Sequence, residues 1–396
     1  MKRIKNKRPR INGKLYVILF AALILALLGF YARTANIHEP HLNAALFGFS
    51  ILGAAFILSW AIDVAQIDIP RSMAFAVLAL IAVLPEYAVD IYFSYTAATN
   101  PQYAHYAAAN MTGANRLLLG VGWSMLVFIH WFRTKERKIQ LKGTEKVELS
   151  FLFIASLYAF LIVLKRSFSV IDTIILGSLF AFYVFRVSRT HIEEPHVIGP
   201  ARIVAAFSKR KRHLATIFML LFAAAVIFMS AEPFAESLIK SGTSAGIDEF
   251  FLVQWIAPLA SEAPEFVIAI IFILRALPRS GFETLLSSKI NQWTLLIATI
   301  PLAFSLGLGH IGEMQLDQRQ TEEVFLTAAQ SLFGMALVLD LRITLSGASS
   351  LFLLFIAQII FPSWHLTIAF IYLALATALF YRDRKYISGL LTAAVK

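Results

Sequence analysis

The stretches Leu84-Pro85-Glu86 and Ser261-Glu262-Ala263-Pro264-Glu265 each place a Pro-Glu pair within long apolar sequence. A carboxylate inside a hydrocarbon-spanning helix costs on the order of 3 kcal/mol on insertion scales, so such residues usually face a polar cavity, a partner charge or an ion path. Proline also removes a backbone donor and frees a carbonyl one turn earlier, which suits cation coordination within a membrane. The two stretches therefore predict a pair of membrane-embedded acids with a functional role.

Composition indicates a membrane protein that crosses the bilayer many times. The 396 residues are 59% hydrophobic and 15% charged, with a mean hydropathy of +0.72, and this length allows about a dozen spans of about 20 residues. The net charge is +11, but the basic residues lie in short segments between apolar runs, where they orient the chain in the membrane rather than bind nucleic acid. The absence of cysteine excludes disulfides, thiolate metal sites and cysteine nucleophiles.

The apolar runs predict twelve transmembrane spans. Residues 1–14 carry seven Lys or Arg and precede an apolar run from Leu15 to Ala32, which we interpret as a retained span rather than a cleaved signal peptide. The other eleven runs begin near residues 42, 72, 107, 149, 168, 214, 250, 285, 324, 344 and 364.

The charges between the runs predict the orientation. The loops at 132–148 and 186–213 hold six and seven basic residues, whereas those at 232–249 and 309–323 each hold four acids against one base. Because cytoplasmic loops carry the excess of Lys and Arg, the basic loops are predicted to lie inside. We therefore expect a multi-pass cell-membrane protein whose N- and C-termini are both cytoplasmic.

This topology makes the two Pro-Glu units inverted copies of each other. The hairpin after Glu86 falls outside and the hairpin after Glu265 falls inside, an arrangement common in secondary transporters. The sequence thus predicts an all-α protein with two inverted five-helix repeats and one peripheral helix at each end. The expected divisions are a basic leader and extra span at 1–41, a first half at 42–186, a basic cytoplasmic linker at 187–213, a second half at 214–361, and an extra span and cytoplasmic tail at 362–396.

Two pairs of short motifs carry a family resemblance. The first repeat has Ala82-Val83-Leu84-Pro85-Glu86 followed by Ala109-Asn110-Met111-Thr112-Gly113-Ala114-Asn115, and the second has Ala260 to Glu265 followed by Leu286 to Gln292. These resemble the two alpha-repeats of the sodium/calcium exchanger (cation/calcium antiporter) superfamily, in which Gly-Thr-Ser-x-Pro-Glu precedes Gly-Asn-x-x-Gly-Ser-Asn. The resemblance covers about residues 42 to 361, and it identifies the chain as a divergent member.

The resemblance implies a cation site at the centre of the membrane. Calcium takes six to eight oxygen ligands, charged ones included. The resemblance implies the cation-binding residues Glu86, Glu265, Ser261, Ser288, Gln292 and Asn110, of which Glu86 and Glu265 are the implied metal ligands. We add Glu262 to the expected cation-binding residues because it lies on the same helix face as Glu265. The first repeat departs from the family pattern, because Ala82 and Val83 replace the Thr-Ser pair and Ala114 replaces a serine.

Additional charges distinguish this chain from the family pattern. Glu262 shares a helix face with Glu265, Asp90 lies one turn after Glu86, and the bases Arg116 and Lys289 belong to the repeat helices. We hypothesise that Lys289 or Arg116 replaces a bound sodium ion and that protons share the coupling. Three alternatives stay open: Arg116 pairs with Asp90 or Glu86, Lys289 extends to the membrane interface, or Glu262 neutralises Lys289.

The function predicted from these features is secondary active cation antiport, not enzymatic catalysis. The cation stays open between Ca²⁺ and Na⁺ and the counter-ion between Na⁺ and H⁺, with no cofactor beyond the transported ion and no obligate protein partner expected. One alternative is a non-transporting family member that acts as a membrane binding or structural protein, its acids neutralised by Arg116 and Lys289. An intramembrane metal-dependent hydrolase would need His ligands or a nucleophile near the carboxylates, which the sequence does not supply.

Overall fold

The computed structural model describes residues 12–68, 84–188 and 197–395, and most of these residues are helical. The helices of the amino-terminal part are α1 (Gly13–Thr34), α2 (Pro40–Asp68), α3 (Leu84–Thr96), α4 (Gln102–Leu117), α5 (Ser124–Thr134), α6 (Lys146–Lys165), α7 (Val170–Ser188) and α8 (Ala201–Ala205). Those of the carboxyl-terminal part are α9 (Lys209–Ala245), α10 (Glu249–Leu274), α11 (Pro278–Asn291), α12 (Ile297–Leu308), α13 (Gln318–Leu337), α14 (Leu345–Ile360), α15 (His365–Arg382) and α16 (Ile387–Val395). The strands are β1 (Lys138–Gln140), β2 (Ser167–Phe168), β3 (Met314–Gln315) and β4 (Arg342–Thr344).

The all-α membrane architecture is confirmed. Within the described ranges, nine helices are long and apolar enough to cross a bilayer, and the shorter α14 is also apolar. The nine are Gly13–Thr34, Pro40–Asp68, Gln102–Thr134, Lys146–Lys165, Val170–Ser188, Lys209–Ala245, Glu249–Leu274, Pro278–Leu308 and Pro362–Arg382. The described residues do not include most of the basic leader or the beginning of the third predicted span, with Ala82 and Val83. The count of twelve spans therefore stays a prediction.

The helices belong to two compact units. The first falls within residues 1–85 and 191–237, and the second within 86–190 and 238–396. In the first unit, α1 and α2 pack together, and the Ser50 hydroxyl donates a hydrogen bond of 2.6 Å to the Ala26 carbonyl. The second unit contains all ten residues predicted for the site. The division into exchanger halves at 42–186 and 214–361 follows the repeats instead and stays a prediction.

Of the two segments predicted as polar outer loops, 232–249 is largely helical and 309–323 is helical from residue 318. Helix α9 continues to Ala245 through Pro233, which leaves the Met229 carbonyl without its helical partner. The Arg33 guanidinium donates a hydrogen bond of 2.8 Å to this carbonyl. Helix α13 begins at Gln318 rather than near residue 324, because Asp317 and Gln320 form a capping box. The predicted loops at 232–249 and 309–323 were therefore too long.

The second unit contains the same element order twice. Helices α4 and α5 lead to β1, α6, β2 and α7, and helices α11 and α12 lead to β3, α13, β4 and α14. The strands pair across the two halves, β1 with β4 and β2 with β3, both antiparallel. Each half therefore contributes one strand to each of the two pairs, which supports the predicted internal repeat.

A π-helical segment interrupts the corresponding helix of each half. Leu118–Trp123 lies between α4 and α5, and Gln292–Leu296 lies between α11 and α12. Such segments are rare and frequently occur at functional sites. The first begins three positions after Asn115, where the first motif ends, and the second begins at Gln292, the last residue of the second motif.

Glycine allows α4 to approach α10 closely. A Cβ atom added to Gly113 would lie 1.8 Å from the Gln254 carbonyl oxygen. That carbonyl lacks its helical partner because Pro258, four residues later, has no amide hydrogen. The missing side chain at Gly113 and the missing donor at Pro258 therefore shape this contact together.

We expect Gly113→Ala to destabilise the protein by about 1–3 kcal/mol or more, because the added methyl group collides with backbone rather than with an adaptable side chain. Thermal unfolding of the purified protein in detergent measures the loss. Gly177→Ala in α7 is the matched control, since no atom lies within 4 Å of its added Cβ. Equal stability of the two variants would contradict the close approach of α4 to α10.

Candidate functional site

Glu86 lies near three other buried or half-buried acids. Glu86 lies in the first turn of α3 and is 2% exposed, and Asp90 is fully buried one turn later. Glu262 is fully buried on α10, and Glu265 is half-buried one turn further along. The negative charge of Glu86 acts on each of the other three carboxylates. The structure therefore brings the two predicted Pro-Glu stretches together.

Two predicted amide residues contact these acids. Gln292 donates a hydrogen bond of 3.3 Å from Nε2 to Glu86 Oε1, and Asn110 donates one of 2.7 Å from Nδ2 to Asp90 Oδ1. Gln292 opens the π-helical segment after α11, while Asn110 lies within α4. One amide from each repeat thus reaches one acid of α3.

Several oxygen atoms in this cluster have no hydrogen-bond partner among the described residues. They are both Oε atoms of Glu262, Oε2 of Glu265, Oδ2 of Asp90, Oδ1 of Asn110 and Oε1 of Gln292. Buried polar groups normally have partners, so such a concentration requires an explanation. Carboxylate and amide oxygens are the ligands that hard cations such as Ca²⁺ prefer.

The two predicted serines do not contact the acids. The Ser261 hydroxyl turns back to its own helix and donates to the carbonyls of Pro258 at 3.3 Å and Ala257 at 3.4 Å. Ser288 is half-buried on α11, and no hydrogen bond links it to the acids in the described part of the chain. Both serines therefore lie near the acidic cluster in sequence without joining it here.

Lys289 is buried rather than extended to the membrane interface. Its Nζ donates a hydrogen bond of 2.7 Å to the side-chain oxygen of Asn115 and lies 4.3 Å from the centre of the Trp293 ring. The charges of Lys289 and Glu262 also act on each other. Helix α11 begins at residue 278, seven residues earlier than the predicted span, which explains why Lys289 is deeper than expected.

Arg116 is paired with an acid that the sequence analysis missed. Its guanidinium forms a buried ion pair with Glu323 of α13, and not with Asp90 or Glu86. Gln254 donates a hydrogen bond of 3.0 Å to the same Glu323 oxygen, and the centre of the Trp255 ring lies 5.1 Å from the guanidinium. The Asp317–Gln320 capping box marks the start of α13 in the sequence and is the signal that would have placed Glu323 inside a helix.

The acidic cluster carries more negative than positive charge. Among the described residues, Lys289 is the base whose charge acts on the cluster, whereas Glu86, Asp90, Glu262 and Glu265 are four acids. Unpaired charges are costly in an apolar interior, so such acids must be neutralised by protons or by a bound cation. The cluster can therefore exchange one kind of positive charge for another.

The acids do not form a closed metal site in this arrangement. Within the described ranges, no three Asp, Glu, His or Cys side chains lie close enough together to hold a metal ion. A Ca²⁺ ion takes ligands at about 2.3–2.6 Å, so the carboxylates of α3 and α10 would have to draw together around it. The site therefore contains suitable ligand atoms, but in this arrangement they do not surround a single point.

The chain matches one family at the level of sequence. Residues 39–189 and 215–364 match the family described as sodium/calcium exchanger protein. These ranges contain both Pro-Glu stretches and both π-helical segments. No curated protein matches the chain.

Solved structures are similar over nearly the whole chain. The H⁺/Ca²⁺ exchanger CAX is 42% identical, with a TM-score of 0.92 over 96% of this chain and 98% of that one. Native YfkE is 15% identical, with a TM-score of 0.62 over 91% of this chain and 100% of its own. The exchanger NCX_Mj, soaked with 2.5 mM Na⁺ and 10 mM Sr²⁺, is 17% identical, with a TM-score of 0.51 over 87% of this chain and 98% of its own. The latter two likenesses concern the fold alone.

Proposed function

Because this chain belongs to the sodium/calcium exchanger protein family, we propose that it is a secondary active antiporter that exchanges Ca²⁺ for protons at Glu86, Glu262 and Glu265. The observation that carries the proposal is the group of buried carboxylates around Glu86 with unpartnered oxygens. The similarity to an H⁺/Ca²⁺ exchanger at 42% identity supports Ca²⁺ and H⁺ as the exchanged ions.

Competition for the same oxygens couples the two ions. When Ca²⁺ binds, its two positive charges neutralise carboxylates that would otherwise carry protons, and those protons leave. When protons bind, the carboxylates lose the charge that holds Ca²⁺. Glu86 and Glu265 are the principal ligands in this proposal, and Glu262 lies beside them on α10.

The neighbouring polar residues complete the proposed site. The unpartnered oxygens of Gln292 and Asn110 supply neutral ligands, and Asp90 supplies a further acid that takes up a proton. Ser261 and Ser288 reach the ion after their hydroxyls turn away from their present directions. Drawing these groups together requires α3 and α10 to approach each other, which is the kind of movement that alternating access uses.

Lys289 favours protons over sodium as the counter-ion. Its charge and that of Glu262 act on each other, so the ammonium form of Lys289 supplies one monovalent positive charge at this end of the cluster. A sodium ion placed there would meet this charge, whereas a proton bound directly to a carboxylate needs no separate space. Lys289 therefore takes the place of a bound sodium ion in our proposal.

The non-transporting alternative required two bases to neutralise the acids. Arg116 is bound to Glu323, which leaves Lys289 to face four carboxylates. This imbalance favours an exchanging site over an inert one.

We also propose that the predicted halves at 42–186 and 214–361 move relative to the membrane in turn, with both termini in the cytoplasm.

Proteoliposomes loaded at one pH and diluted into another test the function. We expect a pH gradient to drive the uptake of radioactive Ca²⁺, and an internal pH dye to report proton movement in the opposite direction. A sodium gradient without a pH gradient should drive no uptake, because Lys289 occupies the place of that ion. Uptake driven by sodium alone would contradict the proton assignment, and no uptake under either gradient would contradict the antiporter.

A further inference from the structure

The outward-facing side of α11 is polar, although this helix belongs to a membrane-spanning segment. Helices α11 and α12 together form the span Pro278–Leu308. After Pro278, the positions of α11 that are exposed or half-buried all carry polar or charged side chains, namely Arg279, Ser280, Glu283, Thr284, Ser287 and Ser288. Its buried positions are mostly apolar. We infer that this side of α11 lines an aqueous path that leads toward the Pro-Glu carboxylates.

A helix that faces lipid shows the opposite distribution. On α6, the exposed side chains in the middle of the span are Ile154, Leu157 and Leu161. Polar side chains within spanning helices face the protein interior or a water-filled cavity, because hydrocarbon offers them no hydrogen-bond partner. Ser287 is exposed, so it does not face the protein interior. The remaining choice for this side of α11 is water.

One row of residues follows the path from its outer end. Residues four positions apart lie on one side of a helix, about 6 Å apart along its axis. Four polar residues of α11 have this spacing: Arg279, Glu283, Ser287 and Asn291. Arg279 forms ion pairs with Glu145, in the short turn before α6, and with Glu283 at 2.8 Å. Because Glu145 precedes the span of α6, the row begins at the edge of the membrane.

The inner end of the row lies next to the acidic cluster. One turn beyond Ser287, Asn291 is only 5% exposed, and its side-chain oxygen accepts a hydrogen bond of 2.9 Å from the Tyr87 hydroxyl. Tyr87 directly follows Glu86 in α3. The Tyr183 hydroxyl of α7 lies 3.3 Å from the Ser287 hydroxyl, so a second hydroxyl borders the path there. The path thus extends to Ser287, and the Tyr87–Asn291 hydrogen bond separates it from Glu86.

The other repeat is closed at the corresponding position. Glu283 of α11 and Tyr106 of α4 each lie three positions before the second motif of their repeat. Tyr106 is 3% exposed, and its ring centre lies 5.8 Å from that of Phe93 and 5.5 Å from that of Tyr103. An aromatic cluster thus stands where α11 has a carboxylate whose side chain is 34% exposed. The two repeats therefore differ in access, because α11 is open where α4 is closed.

The use of this path by ions rests on the proposed function, whereas its contact with water does not. Water contact can be measured without transport, because the chain contains no cysteine and single cysteines can be introduced without background. A thiol in water forms the reactive thiolate more readily than a thiol in apolar surroundings. Its rate of reaction with a charged, membrane-impermeant reagent therefore reports whether it faces water or lipid.

Labelling of Ser287→Cys in lipid nanodiscs with a positively charged methanethiosulfonate tests the path. Both faces of a nanodisc are open to the reagent, and cysteine is close to serine in size. The matched control is Leu157→Cys, because Leu157 is 48% exposed in the middle of α6 and has exposed apolar neighbours. We expect Ser287→Cys to react at least about 10-fold faster than the control. Equal rates would overturn the inference.

The same variants in proteoliposomes, with the reagent on both sides, test whether ions use the path. We expect the bound reagent at residue 287 to reduce Ca²⁺ exchange to the background of empty liposomes, since it adds a bulky positive charge between the aqueous phase and the acids. The treated control should keep its exchange. Fast labelling at residue 287 with undiminished exchange would overturn the role of the path for ions. Absence of exchange in the untreated wild type would instead contradict the proposed function, and the labelling rates would still decide whether α11 faces water.

Discussion

Glu86→Gln or Glu265→Gln is expected to abolish Ca²⁺ exchange in proteoliposomes. Each substitution keeps the size of the side chain but removes one negative charge from a buried cluster that has few other carboxylates to hold the ion. Loss of one partner from a buried charge interaction costs about 3 kcal/mol or more, which corresponds to at least about 100-fold in affinity. Ca²⁺ binding by calorimetry should fall by this factor, and exchange should fall to the background of empty liposomes.

The two substitutions should leave the fold intact, because they replace acids that lack sufficient positive partners. Glu136→Gln is the matched control, since Glu136 is 69% exposed and contacts His130 outside the cluster. This variant should retain wild-type exchange. Full exchange by both Glu86→Gln and Glu265→Gln would refute the assignment of the site.

Arg116→Met and Glu323→Gln are each expected to destabilise the protein by about 3–5 kcal/mol, because each leaves one buried charge without its partner. Both side chains are almost completely buried. The loss for Glu323→Gln should lie toward the lower end, since glutamine can still accept a hydrogen bond from Gln254. Reversible unfolding in mixed micelles, followed by tryptophan fluorescence, provides the measurement.

The double variant Arg116→Met with Glu323→Met separates the ion pair from simple packing. Replacing a whole buried pair by apolar residues of similar volume is often neutral or stabilising, so the double variant should recover most of the lost stability. Losses that simply add in the double variant would mean that the two side chains do not interact.

The all-α fold was predictable because the bilayer imposes a simple pattern on the sequence. Apolar runs and basic loops identified most helices, since each span must satisfy its own backbone and each inner loop must keep its charges. The boundaries were less accurate. Helix α9 continues through Pro233 because Arg33 satisfies the carbonyl that the proline leaves open, a contact across 196 residues that no local pattern reveals. The start of α13 was accessible from Asp317 and Gln320 and was missed.

The site was predictable in its acids and less so in its bases. Glu86 and Glu265 were identifiable because a carboxylate in apolar sequence is costly, and the repeat placed them opposite each other. The partner of Arg116 was not, because Glu323 lies 207 positions away in a segment interpreted as a polar loop. The ligand roles of Ser261 and Ser288 follow from the family pattern alone and stay predictions.

The most direct test of the proposed exchange site is a crystal structure of the lipid-embedded protein with anomalous scattering from a soaked divalent cation. At about pH 8, we predict an anomalous peak within about 2.3–2.6 Å of carboxylate oxygens of Glu86 and Glu265, with Glu262 beside it. At low pH, protons should displace the ion and the peak should vanish. A saturating cation that leaves no peak at these carboxylates, or the Lys289 ammonium in the space between them, would contradict the account.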